Sequence, residues 1–376
     1  MNRGAIGAAV GIVFIAGASA ISPARSAFQA PPRLSDSAFV AIIERFSEPS
    51  GYFDTDNLIS NEDSYLHPVS TLKKLGVTGG TYVGVGPEQN FSYIAAVRPH
   101  AAFIVDIRRD NLLEHLLFKA IFAMSRNRIE YLSLLFGRPA PNDSAGWGAK
   151  PVDSLLFYIE GSRLDTAAAI QGRARVAARI RQYGFKLAAA DFETISRFHS
   201  TFMYGGPALR FNTFGRPPQP YYPDYRRLAR ELDREGKQAS FLATEANFAV
   251  VKDLEDRNLI IPLVGDFAGD RALPGVADWM TANHEQLSAL YTSNVEQYLY
   301  GAGTFDAFAK NVERFPRNAK SVIVRSCFIC FGNHPSAMNG YHAVMMTQFV
   351  NTFAELRAAG QLTLYGNLVF RGLVEP

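Results

Sequence analysis

The chain has 376 residues, room for one large or two ordinary domains, and at 48% hydrophobic and 19% charged it can bury a substantial core. Its 38 basic and 35 acidic residues leave a net charge of +3, too little on this length to argue for a nucleic-acid surface. Aromatic residues reach 12%, which suits an apolar pocket.

The N-terminus carries Arg3, then a charge-free run of small and apolar residues over 5–18, then Ala18-Ser19-Ala20, a small-x-small cleavage pattern. Residues 1–20 therefore read as a signal peptide, or as an N-terminal anchor if uncleaved. Cleavage would make the protein periplasmic or otherwise exported, and the other reading is a cytoplasmic protein. No later segment is long and apolar enough to span a bilayer. Residues 21–80 read as a linker and N-terminal cap. Ser35 can cap a helix reaching about Phe46, with Phe39, Ile42, Ile43 and Phe46 on one face. The polar, aromatic stretch over 47–68 is too long for a mere connection. Asp54, Asn61 and Glu62 in it could reach over a cofactor or serve turn hydrogen bonds.

From residue 81 the signals alternate. Strands are predicted over 82–85, 102–106, 259–264, 287–292 and 321–325, with helices over 87–96, 111–123 and 244–254. Such alternation implies a doubly wound α/β domain over 81–376, with a mostly parallel sheet and helices on both faces. Residues 125–240 exceed any normal crossover and read as a helical insertion. It holds a helix over 165–184 and a short one over 191–206, where His199 is either a general base or a structural histidine. "FGRPPQPYYPDY", 214–225, combines prolines with aromatics as a lid would, and Tyr221 and Tyr222 line a substrate pocket or pack on the surface. Residues 341–358 read as a helix, and 362–365 with 368–370 as a terminal hairpin. Cys327 and Cys330 sit at a strand exit, where residues three apart face opposite ways, so they read as two buried free thiols. Neither a metal motif such as H-E-x-x-H nor a G-x-S-x-G nucleophile elbow occurs.

"VGVGPEQ", 83–89, places Gly84 and Gly86 where a strand turns into a helix, with Pro87 at the first helical position. Asp106 ends the next strand 22 residues after Gly84, where a carboxylate can accept both hydroxyls of a ribose. The same residue could cap the following helix. The third glycine of a dinucleotide fingerprint is replaced by Gln89, and Glu88 at the helix start repels a phosphate but tolerates a cationic amino-acid head group. This disfavours a nicotinamide-dependent oxidoreductase and favours S-adenosyl-L-methionine.

The stretch resembles the first motif of class I S-adenosylmethionine-dependent methyltransferases, with Glu88 at the third glycine. "LVGDFAG", 263–269, is similar to that superfamily's Gly-Asp after the third strand. The resemblance implies Asp266 at the adenine amino group and Phe267 stacked on the ring; a simple Gly-Asp turn is the other reading. "LYTSNVEQYL", 290–299, resembles the segment after the fourth strand, which implies Ser293 and Asn294 as substrate contacts. Together with "SGYFDTDNLISNE" and "FIVDIRRDN", most of residues 45–370 look like a poorly characterised bacterial family with this Rossmann-like fold. The implied strand order is 3-2-1-4-5-7-6, whose edge position for the third strand suits Pro262. Arg108 and Arg109 could pair with Asp106 or Asp110. The expected function is methyl transfer from S-adenosyl-L-methionine to a small molecule. The other expectation is an exported, non-catalytic binding or envelope protein on the same fold.

Overall fold

The computed structural model describes Met1 and residues 33–55, 57–215, 217–330 and 332–375. Residues 2–32, with most of the expected leader, and Arg216 of the 214–225 loop lie outside the described residues. In chain order the elements are α1 (Asp36–Phe46), α2 (His67–Leu75), β1 (Thr81–Gly84), α3 (Gln89–Val97), β2 (Ala101–Asp106), α4 (Arg109–Met124), α5 (Arg128–Leu135), α6 (Val152–Gly161), α7 (Thr166–Gln182), α8 (Ala189–Gly205), α9 (Tyr225–Arg230), α10 (Glu245–Asp256), β3 (Ile260–Val264), α11 (Ala272–Ala282), β4 (Leu287–Ser293), α12 (Val295–Ala302), α13 (Phe305–Arg314), β5 (Arg317–Cys327), β6 (Val344–Phe349), α14 (Val350–Ala358) and α15 (Tyr365–Phe370).

The six strands form one sheet in the order β3-β2-β1-β4-β5-β6. β1 to β5 run parallel, and β6 is antiparallel to β5. The order reverses between β1 and β4, which opens a crevice at the C-terminal ends of the strands. β1, β2 and β3 are buried throughout, as strands covered on both faces must be. Pro262 pairs with Ile104 on the edge strand β3, where its missing N–H costs no second ladder. Helices α3, α4 and α10 pack together in one layer, and α1, α11, α13 and α14 in the other. The helices of 125–240 are continuous with this core: α7 and α8 lie on α4.

Local chemistry accounts for several boundaries. The Ser35 hydroxyl accepts from Ala38 N–H and starts α1. Asp165 and Thr244 cap α7 and α10 in the same way. Arg325 in β5 is fully buried, bonded bidentately to Glu296 at 2.8 and 3.1 Å and to Gln348 of β6 at 2.9 Å.

Four sequence expectations are corrected. Residues 341–358 form no single helix: β6 comes first and α14 follows. β6 is buried on both faces, so the period-2 alternation that marks a strand is absent. The expected terminal hairpin is instead the helix α15, whose Asn367 side chain accepts from Leu364 N–H at 3.2 Å. α8 runs for 17 residues and is not short. Cys327 and Cys330 are joined in a disulfide. The chain bends at Phe328 and Ile329 as it leaves β5, which brings the two Cα atoms to 5.5 Å, within bridging range.

Candidate functional site

A cavity of about 460 Å³ lies at the C-terminal ends of the strands, within the range of small-molecule sites. Gly86, Asp106, Asp266, Phe267, Ser293 and Asn294 all line it, although they are spread over more than half of the chain. Asn61 lines it too, and so do Tyr221 and Tyr222, which makes the 214–225 loop one of its walls. Tyr52, Phe53, Tyr298 and Ile329 form an apolar mouth, with the Phe53 and Tyr298 rings edge to face at 5.1 Å.

The turn after β1 is held from below. Gly86 adopts φ +84°, a conformation that glycine takes without strain, and a Cβ there would meet the Gln89 amide at 2.9 Å. Asn90 Nδ2 lies 2.9, 3.1 and 2.8 Å from the carbonyls of Val85, Gly86 and Pro87. His115 on α4 is buried and its titration pushed down to about 4, chiefly by desolvation. The neutral ring donates from Nε2 to the Gly86 carbonyl at 3.0 Å. Gly84 does not line the cavity: a Cβ there would strike Asn90 Oδ1 and the Tyr82 hydroxyl, so this glycine makes room for the pin.

Asp106 reaches the cavity but its carboxylate is engaged. Arg108 donates to it from Nε at 3.1 Å, from Nη2 at 3.0 Å and from its backbone N–H at 2.9 Å. Arg109 turns away and pairs with Asp191. Asp266 accepts from Ala268 N–H at 2.8 Å, which closes its own turn. That turn is fixed by two side chains from far off. Glu48 accepts from the N–H groups of Asp266, Arg271 and Ala272, and Asn311 donates to the carbonyls of Phe267 and Gly269. Phe267 stacks on Phe308, ring centroids 5.9 Å apart.

Glu62 lies beneath the floor and is fully buried. It accepts from Ser293 and Ser326 at 2.5 Å each and from the Tyr291 hydroxyl. Burial raises its pKa while the three hydroxyls lower it, with burial the larger influence. Its neighbour Asp63 accepts from Arg227 at 3.0 Å and from the backbone N–H groups of His342 and Ala343. The 61–65 segment thus staples the cap to the sheet ends on one side and to the insertion on the other. Ser293 holds φ +52°, an uncommon value for a non-glycine residue, directly on the cavity wall. Asp54 is outside the lining, and its carbonyl accepts from Phe214 N–H at 2.8 Å.

Besides Gly84, Glu62 and Asp54, two further expected site residues lie outside the cavity lining. His199 is buried on α8, donates to the Leu134 carbonyl at 2.9 Å and is pushed down to about 4 by desolvation. It is a buried core histidine outside the cavity, with only Nε2 hydrogen-bonded. Glu88 points into the protein behind the floor rather than into the crevice. Among the described residues no group of three or more His, Cys, Asp or Glu could hold a metal ion. No helix among them is long and apolar enough to cross a membrane. The residues that sequence reasoning missed, Asn90, His115, Glu48 and Asn311, act through contacts across 29 to 224 positions, or through backbone groups that leave no motif.

A family model described as a domain of unknown function, DUF7790, matches residues 58–143 and 213–361, together more than half of the chain. The stretch between the two matched parts carries α6, α7 and α8. No curated protein matches the chain.

Proposed function

The chain belongs to the DUF7790 family, whose function is unknown, and from the crevice we propose that the protein binds S-adenosyl-L-methionine and transfers its methyl group to a small molecule. The observation that carries this reading is the convergence of Gly86, Asp106, Asp266, Phe267, Ser293 and Asn294 on one cavity. The strand order supports it, being the order the resemblance implies with its sixth strand missing and β6 in the place of the seventh. The residues fit the cofactor. The Gly86 turn leaves backbone accessible where a side chain would intrude. Asp106 has two acceptor oxygens for a ribose diol once Arg108 swings aside, and Phe267 offers a ring beside the Asp266 turn. When bound, the cofactor supplies the electrophilic methyl group. The protein's own part is to align the acceptor against Ser293 and Asn294 and to exclude water behind Tyr221 and Tyr222.

A second reading has its own support. The Cys327–Cys330 bridge suits an oxidising compartment, as does the leader, and Asp106 already has a partner in Arg108. On this reading the protein is exported and its crevice binds without catalysis. Calorimetry with S-adenosylmethionine and S-adenosylhomocysteine separates the two. Saturable heat with both supports the first reading. No heat with either at millimolar concentration removes it and leaves the binding protein.

A further inference from the structure

β4 ends at Ser293 and α12 begins at Val295, so only Asn294 separates strand from helix. At this turn Ser293 takes φ +52°, in the left-handed region that a serine rarely adopts, and it lies on the crevice wall. A serine held in a strained strand-to-helix turn, at the C-terminal end of a parallel sheet, has the geometry of a nucleophile elbow. The sequence concealed it, because Tyr291 and Val295 stand where the G-x-S-x-G motif has its glycines.

The strain is not needed for the bond that Ser293 makes. Ser326 donates to Glu62 at the same 2.5 Å from within β5, and it is buried, whereas Ser293 also reaches the crevice. Backbone strain that no contact requires points to function. Proton counting gives the chemistry. Glu62 Oε1 accepts from both serines and Oε2 from the Tyr291 hydroxyl. An ionised carboxylate only accepts, and each hydroxyl has one proton to give. Ser293 Oγ therefore aims its proton at Glu62 and keeps its lone pairs for the crevice. The titratable groups that face Glu62 are Asp63 beside it, Tyr82 on β1, Tyr93 on α3, Tyr291 on β4 and Tyr365 on α15. No cation is among them, and burial makes this carboxyl a stronger base than an exposed one.

We propose that Ser293 is the nucleophile, and Glu62 the general base, of a site in this crevice that hydrolyses carboxylic esters. Ser293 Oγ attacks the ester carbonyl carbon as its proton passes to Glu62. The C–O bond to the alcohol then breaks, and Glu62 returns the proton to the departing oxygen, which leaves the acyl group on Ser293. Water gives a proton to Glu62 and attacks that acyl group. The proton goes back to Ser293 Oγ, and a carboxylic acid departs. α12 opens without a side-chain cap, and the amide side chains Asn57, Asn61 and Asn294 line the crevice, so N–H donors stand by for the carbonyl oxygen as it gains charge. The apolar mouth suits an ester with an apolar acyl group. This activity needs no cofactor and goes beyond the methyl transfer proposed above.

The test treats the full chain with phenylmethylsulfonyl fluoride, read by intact mass and peptide mapping, and with 4-nitrophenyl butyrate, read as released nitrophenolate. One sulfonyl group should attach per chain, on Ser293, and none to the denatured protein. Ser293→Ala should lose the label and lower hydrolysis by at least about 100-fold, and Glu62→Gln, which keeps the nucleophile but removes the base, should lower both by about 100-fold. A label elsewhere or none, no nitrophenolate above the denatured protein, or hydrolysis that survives either substitution overturns the proposal and leaves Glu62 as a structural latch. If Glu62→Gln does not fold, Ser293→Ala, a change on the cavity wall, decides alone. Calorimetry with S-adenosylhomocysteine keeps the two activities apart. Heat without a label contradicts the esterase site but spares the proposed function, and a label without heat does the reverse.

Discussion

Replacing Asp106 by alanine removes three hydrogen bonds from one carboxylate, two of them charge-assisted bonds from Arg108. Asp106 and Arg108 are only 5% and 6% exposed, so the guanidinium that remains is desolvated and has lost the carboxylate it holds bidentately. Breaking such a pair from one side costs about 3–5 kcal/mol, and the adjoining crevice lets some water in, so the lower end, about 3 kcal/mol, is expected. That corresponds to a fall in Tm of roughly 5 °C for a chain of this size. Arg108→Leu should cost less, because the carboxylate faces the crevice and keeps the backbone N–H at position 108. The double variant should recover part of the loss, with a coupling of about 1–3 kcal/mol. Thermal and urea unfolding of the four proteins measures this cycle. Ligand binding carries the opposite sign: Arg108→Leu frees both oxygens for a ribose diol and should tighten S-adenosylhomocysteine by about tenfold, whereas Asp106→Ala weakens it. An Asp106→Ala protein as stable as the wild type would refute the buried pair. Arg108→Leu with weaker binding would refute the view that Arg108 competes with the ligand.

Three further outcomes are expected. The non-reduced protein should have an intact mass lower than the reduced one by about two hydrogens, from the Cys327–Cys330 bridge, and equal masses would contradict it. Glu88 keeps its proton in the folded chain up to about pH 8 but ionises in the unfolded chain from its ordinary value of 4.5 upward, so the folded state binds more protons in that window and loses stability as pH rises. Relative to Glu88→Gln, wild-type stability should therefore fall by on the order of 3–5 kcal/mol between about pH 5 and pH 8, read by urea unfolding, and parallel pH curves would refute this. Gly86→Val should abolish S-adenosylhomocysteine binding in calorimetry, whereas Gly84→Ala, which strikes Asn90 and Tyr82, should act first on folding, read as a lower Tm.

The crevice was legible because the fold class itself gathers its residues. Once β1, β2, β3 and β4 are read as parallel neighbours around a reversal, Gly86, Asp106, Asp266 and Ser293 must share one end of the sheet. Pro262 identified its edge by a local rule. What holds those residues in place was not legible. Glu48 reaches the Asp266 turn across 218 positions, and Asn90 and His115 work on carbonyls that every residue has. Arg108 stood two positions from Asp106 in sequence, yet only the structure resolves that it turns toward it while Arg109 turns to Asp191. β6 escaped because burial on both faces erased its alternation, and the Cys327–Cys330 bridge because it depends on a bend that strand periodicity does not encode.

The most direct measurement is a crystal structure of the protein soaked with S-adenosylhomocysteine. The account predicts an adenosyl group in the crevice, its ribose on Asp106 with Arg108 displaced and its base beside Asp266 and Phe267. An empty crevice at saturating ligand, or the ligand bound elsewhere with the Arg108–Asp106 pair intact, would contradict it.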